Sequence, residues 1–274
     1  MFAREPGSTV RQAAVAGSFY PRGGKDLKAA VDALLAQAKN IEQPSLAGVI
    51  APHAGYIYSG PVAGSAFAPL ASADTAFARV LAIGPAHYVA VTGVAAPSSA
   101  SFATPLGKVE VDRDAIVALV EAGLVNFDDR AHAPEHSLEV ELPFLQAALG
   151  RFTLIPLLVG DAAPEQVAAI IDRVLDERTL LVVSTDLSHY LDDASARERD
   201  RATAETIERF QFDRLGPYDA CGFAALNGAL CAASARKWRI ERLDLRNSGD
   251  TSGDRARVVG YGAWAFSAAP QPSS

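Results

Sequence analysis

The feature that most constrains this chain is a set of short segments that are apolar almost without interruption. Residues 46–51 (LAGVIA), 79–84 (RVLAIG), 153–159 (TLIPLLV) and 180–184 (LLVVS) carry hardly a polar side chain. A strand that is apolar at successive positions has both faces buried, and such strands separated by helices build a mainly parallel sheet. Residues 25–39, 113–122, 138–149, 164–175, 194–209 and 218–237 read as the intervening helices. Ser59-Gly60-Pro61 is expected to open a further helix, with the proline in its first turn. Pro143 is expected to kink the 138–149 helix near its start. Residues 93–111 read as irregular strands, and 238–246 with 257–266 as a closing antiparallel pair. The predicted fold class is α/β: a single domain over residues 1–268, with a mainly parallel central sheet covered by helices on both faces. Residues 269–274 read as a disordered tail.

Hydrophobic residues make up 49% of the chain, enough for a core of that kind. The net charge of −7, with no cluster of Lys and Arg, argues against a nucleic-acid partner. No apolar run approaches the roughly 20 residues of a membrane span. The segment MFAREPGSTVRQ lacks the apolar stretch of a signal peptide, so a cytoplasmic location is expected. Cys221 and Cys231 stand ten residues apart in the predicted 218–237 helix. Ten helical residues span ~15 Å, too far for a disulfide, so both read as reduced thiols filling core positions.

Of the five histidines, three share one local context. In VIAPHAGY an apolar strand ends two residues before His53; in VLAIGPAHY one ends three residues before His87. In LLVVSTDLSHY the strand ends near Thr185, and Asp186 and His189 follow. Ligands of open α/β sheets bind outside the carboxyl ends of the strands. Neighbouring strands would therefore bring these side chains to one crevice; strands placed apart would leave each histidine separately satisfied. Carboxylates stand nearby: Asp186, Glu135 beside His136, and Asp250 and Asp254 in the loop NSGDTSGD. Asp254 reads as a turn residue. Two imidazoles and a carboxylate leave open metal positions and suit Fe(II), whereas structural zinc prefers four closed ligands, often thiolates. GxSxG, GxGxxG, P-loop and CxxC motifs are all missing, which leaves metal chemistry or binding.

These segments resemble the Memo family, known in prokaryotes as AmmeMemoRadiSam system protein B. The similarity lies in RQAAVAGSFYP (11–21), APHAGYIYSGPVAG (51–64), IGPAHY (83–88), EHSLEVELPFL (135–145), STDLSHY (184–190), CGFAALNGAL (221–230) and SGDTSGDRARVVGYGAWAF (248–266). The family is similar in fold to the class III extradiol (LigB-type) dioxygenases, which hold Fe(II) on two His and one Glu. By that resemblance His53 and His87 fall on the metal-binding histidines, and His189, preceded by Asp186, on the acid–base position. His136, Tyr56 and Tyr88 are expected to line the crevice. Animal members use a cysteine ligand in the loop before the final strand. This chain has none there, so Asp250 is its expected substitute, with Thr251 the alternative. Losing that thiolate favours iron over copper, with zinc a further candidate. The resemblance does not identify Cys221, in the family's CG pair, with that ligand.

Three functions follow as expectations: an Fe(II)-dependent, dioxygenase-like oxidoreductase, a non-enzymatic metal or peptide binder, or an accessory protein. The third would work with AMMECR1-like and radical SAM partners, as the prokaryotic family name implies.

Overall fold

The computed structural model describes residues 10–39 and 41–268; the 269–274 tail and the residues before Val10 lie outside the described residues. In chain order the strands are β1 (Val10–Arg11), β2 (Leu46–Ala51), β3 (Arg79–Pro85), β4 (Val94–Ala96), β5 (Ser101–Thr104), β6 (Gly107–Val111), β7 (Asn126–Phe127), β8 (Thr153–Val159), β9 (Thr179–Ser184), β10 (His189–Leu191), β11 (Arg239–Asn247) and β12 (Val258–Ser267). The helices are α1 (Gly24–Gln37), α2 (Tyr56–Phe67), α3 (Arg113–Glu121), α4 (Asp129–His132), α5 (Leu142–Leu149), α6 (Pro164–Val174), α7 (Asp193–Glu208), α8 (Phe223–Ala235) and α9 (Gly249–Ser252).

Among the described residues the strands form a 12-stranded sheet whose main path runs β1-β5-β6-β8-β3-β9-β2-β12-β10. The run β6-β8-β3-β9-β2 is parallel throughout. Every residue of β9 is buried, and since alternate side chains point to opposite faces, helices cover both. The closing antiparallel addition is present: β12 pairs with β2, and β11 and β10 with β12. The helices follow from their sequences. In α6 a proline opens the first turn, and Val167, Ile170, Ile171 and Val174 form one buried stripe. That stripe meets α8 so closely that a Cβ on Gly228 would stand 2.2 Å from Val167 Cβ.

Three expectations are corrected. Helix α2 starts at Tyr56, so Pro61 lies in its body, not its first turn. The proline leaves the Ile57 carbonyl without a helical donor, in a turn where Ile57 is exposed and solvent can serve it. Pro143 does not kink a helix; residues 139–141 form a 3₁₀ turn and α5 begins afresh with Pro143 in its first turn. Cys221 is not helical. Its N–H donates to Asp186 O at 3.2 Å and Gly222 N–H to Thr185 Oγ1 at 2.9 Å, which ties this turn to the β9 loop and delays α8 to Phe223.

Candidate metal centre

Strands β3, β9 and β2 are consecutive in the sheet and parallel, with Ile83 opposite Val183 and Ala51 opposite Ser184. Their carboxyl ends therefore lie side by side. His53, His87 and the Asp186–Ser188 segment leave the sheet at one edge, and His189 opens β10. The segment between α4 and the 139–141 turn adds Glu135 and His136 to the same place. It is pinned from below by Arg11, which donates Nε–H to His132 O at 3.1 Å, Nη2–H to Glu135 O, and pairs with Glu139. Glu139 in turn accepts the N–H of Ala14 and Val15 at 2.7 and 3.0 Å and the hydroxyl of Tyr20.

Among the described residues, the His, Cys, Asp and Glu side chains whose ligand atoms converge are His53, His87 and His136, all within 4.8 Å of one another. His87 and His136 stack with centroids 4.7 Å apart, and His53 stands edge-on to them at 5.1 and 5.5 Å. Hydrogen bonds orient two of the rings. His53 Nδ1 lies 2.7 Å from Ser184 Oγ, and His87 Nδ1 lies 2.9 Å from Glu135 Oε1. Each therefore turns its Nε2 away from these partners, the arrangement metal-binding histidines adopt. His136 Nδ1 faces the Tyr88 hydroxyl at 3.3 Å.

The electrostatics favour neutral rings. Burial first, then the charges of His87, His136 and His189, push His53 well below the usual histidine range. Burial likewise brings His136 down to about 4, against the opposing pull of Glu135. Glu135 behaves oppositely: burial alone would raise it, but bonds from His87 and Ser137 hold its carboxyl at about 2. Asp186 is pushed up to about 7 by burial, although its Oδ1 accepts the His53 N–H at 2.8 Å. Its Oδ2 stands 4.0 Å from His53 Nε2. His189 is partly buried, and burial lowers its pKa.

The expected site residues thus divide. His53, His87, Asp186, His136 and Tyr88 are brought together, whereas His189 stands outside the convergent set, at the start of β10 opposite Val259. Asp250, expected as the third ligand, is engaged elsewhere: its carboxylate accepts Arg197 Nη2–H at 2.6 Å and Asn247 N–H at 3.1 Å. Thr251 donates its hydroxyl to Tyr58 O and Ser248 O, both at 3.1 Å. Tyr56, expected at the crevice, packs its ring on Tyr20 and Phe144 and donates its hydroxyl to Val140 O at 2.7 Å. The third nitrogen comes from His136, which sequence reasoning placed only as a lining residue. Sequence reasoning missed Ser184, and it set Cys221 aside as helical. Cys221 Sγ lies 3.3 Å from His53 Nε2.

No described helix is long and apolar enough to cross a membrane. The family model described as Memo-like protein matches residues 11–265. A MEMO1 family protein of Methanosarcina acetivorans is 36% identical over 273 residues, covering 93% of this chain and 98% of that relative. One from Methanopyrus kandleri is 36% identical over 279 residues, covering 93% and 98%. One from Aquifex aeolicus is 34% identical over 269 residues, covering 92% and 97%. With near-complete coverage on both sides and the strand-end histidines in place, this chain belongs to the Memo-like family.

Proposed function

We propose that this protein holds one metal ion, iron(II) before zinc or copper, on His53, His87 and His136, and uses it as a dioxygenase-like oxidoreductase. The observation that carries the reading is the convergence of three ligand nitrogens within 4.8 Å, two of the rings turned by partners on their far nitrogens. The donor chemistry fits a metal. Burial favours the neutral form of His53 and His136, and an ionised carboxylate sits behind His87. Three imidazoles suit zinc as well as iron, and the choice of iron rests on the likeness to extradiol dioxygenases. Bound iron(II) would supply open coordination positions and one-electron chemistry for a chelating substrate and dioxygen. The chain's own residues would do the rest. His189, partly buried and biased toward its neutral form, would take a proton from a substrate hydroxyl. Asp186 holds the His53 loop through its N–H. The half-exposed Tyr88 ring stands edge-on to His136, centroids 5.8 Å apart, and would border a bound substrate. A reducing cytoplasm would keep both iron and the two free thiols reduced.

The test is anaerobic purification, reconstitution with Fe(II), and elemental analysis of wild type against His53→Ala. Near-stoichiometric iron in wild type and none in the variant supports the site, and oxygen uptake with a panel of catechols then tests turnover. Equal metal in both proteins sinks it.

A second reading, an accessory protein of the AMMECR1-like and radical SAM set, draws on one observation. Large side chains beside the site residues are solvent-exposed: Ile57, Tyr58, Tyr88 and Tyr190. Such a rim suits a macromolecular partner. Co-purification with those two proteins and tight metal binding without oxygen uptake would favour it.

A further inference from the structure

On the Nδ1 side of His53 lies a buried polar cluster of which the proposed function uses only the Ser184 contact. Ser184 Oγ is fully buried and has three neighbours: His53 Nδ1 at 2.7 Å, Ser137 O at 2.6 Å and Glu141 Oε1 at 2.9 Å. A hydroxyl has one proton to give and two lone pairs to fill. Ser137 O is a carbonyl and can only accept, so at 2.6 Å it must receive the Ser184 proton. The other two neighbours must then be donors. His53 therefore carries its proton on Nδ1, and Glu141 carries one on Oε1.

We propose that Glu141 is held as an uncharged carboxylic acid and, through Ser184, acts as a positioning residue that leaves His53 Nε2 unprotonated, facing the Cys221 thiol at 3.3 Å and Asp186 Oδ2 at 4.0 Å. Three independent features agree with this. Glu141 Oε2 is buried without a hydrogen-bond partner, which a carbonyl-like oxygen tolerates far better than half of a carboxylate. Among the described residues no arginine or lysine pairs with Glu141, in contrast to Glu139 two residues away, which has Arg11. Burial pushes the Glu141 carboxyl well above its usual range, against the opposing Ser184 contact and with a smaller push from Asp186.

The two strand-end ligands are consequently backed in different ways. His87 leans on an ionised Glu135, which enriches its far nitrogen. His53 leans on a neutral hydroxyl–acid pair, which orients it without attracting a second proton onto the ring. An ionised Glu141 would instead draw the Ser184 proton toward itself, release Ser137 O, and place an anion behind a buried imidazole.

The consequence for metal binding rests on the proposed metal site; the protonation pattern does not. Metal-free wild type, labelled with ¹⁵N-histidine, should show His53 as the Nδ1–H tautomer at neutral pH. Its infrared spectrum should contain a buried carboxylic-acid carbonyl band that disappears in Glu141→Gln. Glu141→Gln should keep the His53 tautomer, because the amide N–H donates to Ser184 in place of the acid. Ser184→Ala should lower Fe(II) affinity by about 10–100-fold and let the His53 tautomers mix. A His53 ring protonated on Nε2, or a Glu141 that contributes only carboxylate bands, overturns the proposal. Wild type that takes up no Fe(II) defeats the metal reading, while the tautomer and the infrared band still decide the relay.

Discussion

The Glu135 carboxylate closes a ring of four donors around His87: it takes the imidazole Nδ1–H at 2.9 Å, the His87 N–H at 2.6 Å, and the N–H groups of His136 and Ser137 at 2.9 and 2.8 Å. One side chain thus orients His87 and fixes the backbone that carries His136. Glu135→Gln keeps the size but replaces an acceptor oxygen with an amide donor, which faces donors. Fe(II) affinity, measured by anaerobic titration, should fall by about 10–100-fold. Stability in urea should fall by about 2 kcal/mol or more, since charge-assisted bonds to a buried acceptor are lost. An unchanged affinity would remove Glu135 from the site.

Alanine at His53, His87 or His136 should each abolish stoichiometric metal uptake, because the convergent set comprises these three rings. His189→Ala should keep the metal and lose turnover only. Elemental analysis of the four variants separates ligands from proton carrier. Full metal content in His136→Ala would return the third position to a carboxylate.

Asp250→Asn should retain the metal. Its carboxylate serves Arg197 at 2.6 Å, with Arg255 at 3.8 Å, on a partly exposed surface. Such pairs contribute about 0–1 kcal/mol, so the denaturation midpoint should barely move. Loss of metal in this variant would mean that the final loop closes onto the site.

Acid should remove the contribution of the buried neutral His132 to the metal-free fold in a defined window. His132 is buried in the core, with Nε2 3.1 Å from Ala95 O, and burial brings its pKa down to about 4. The folded state keeps this ring neutral while the unfolded chain takes up a proton near pH 6.5. The unfolded state therefore binds more protons as pH falls, and stability is lost between about pH 6.5 and 4. His136 acts in the same window, also at about 4. Glu135, held at about 2, extends the loss below the ordinary carboxylate range as it protonates. Asp186, at about 7, and Glu141, pushed well above its usual range, act with the opposite sign, so the readout is the stability difference between wild type and His132→Gln in urea titrations at pH 7.5, 5.5 and 4.5, as set points. Any advantage of wild type over that variant at pH 7.5 should shrink toward pH 4.5, and a difference that does not change with pH would remove His132 from this role.

Much of the architecture was legible from patterning. The runs LAGVIA and TLIPLLV match β2 and β8 residue for residue, since a segment apolar on both sides has nowhere to go but the centre of a covered sheet. The strand-end positions of His53 and His87 were equally plain. Helix starts were less so: Pro61 and Pro143 each look like a first-turn or kink signal, and tertiary contacts at Phe19 and the 3₁₀ turn decided which they were.

By itself the sequence determined the fold class, the family and the strand-end placement of three histidines, because apolar periodicity and local motifs act over a few residues. The tertiary structure alone decided which groups meet. His136 joins His53 and His87 because Arg11, distant in sequence, anchors its segment; Asp250 turns away because Arg197 on α7 lies closer. Glu141 and Ser184 come together across β9 with no trace in local pattern. Side-chain convergence depends on strand order and on long-range ion pairs, and neither is written in the spacing of neighbouring residues.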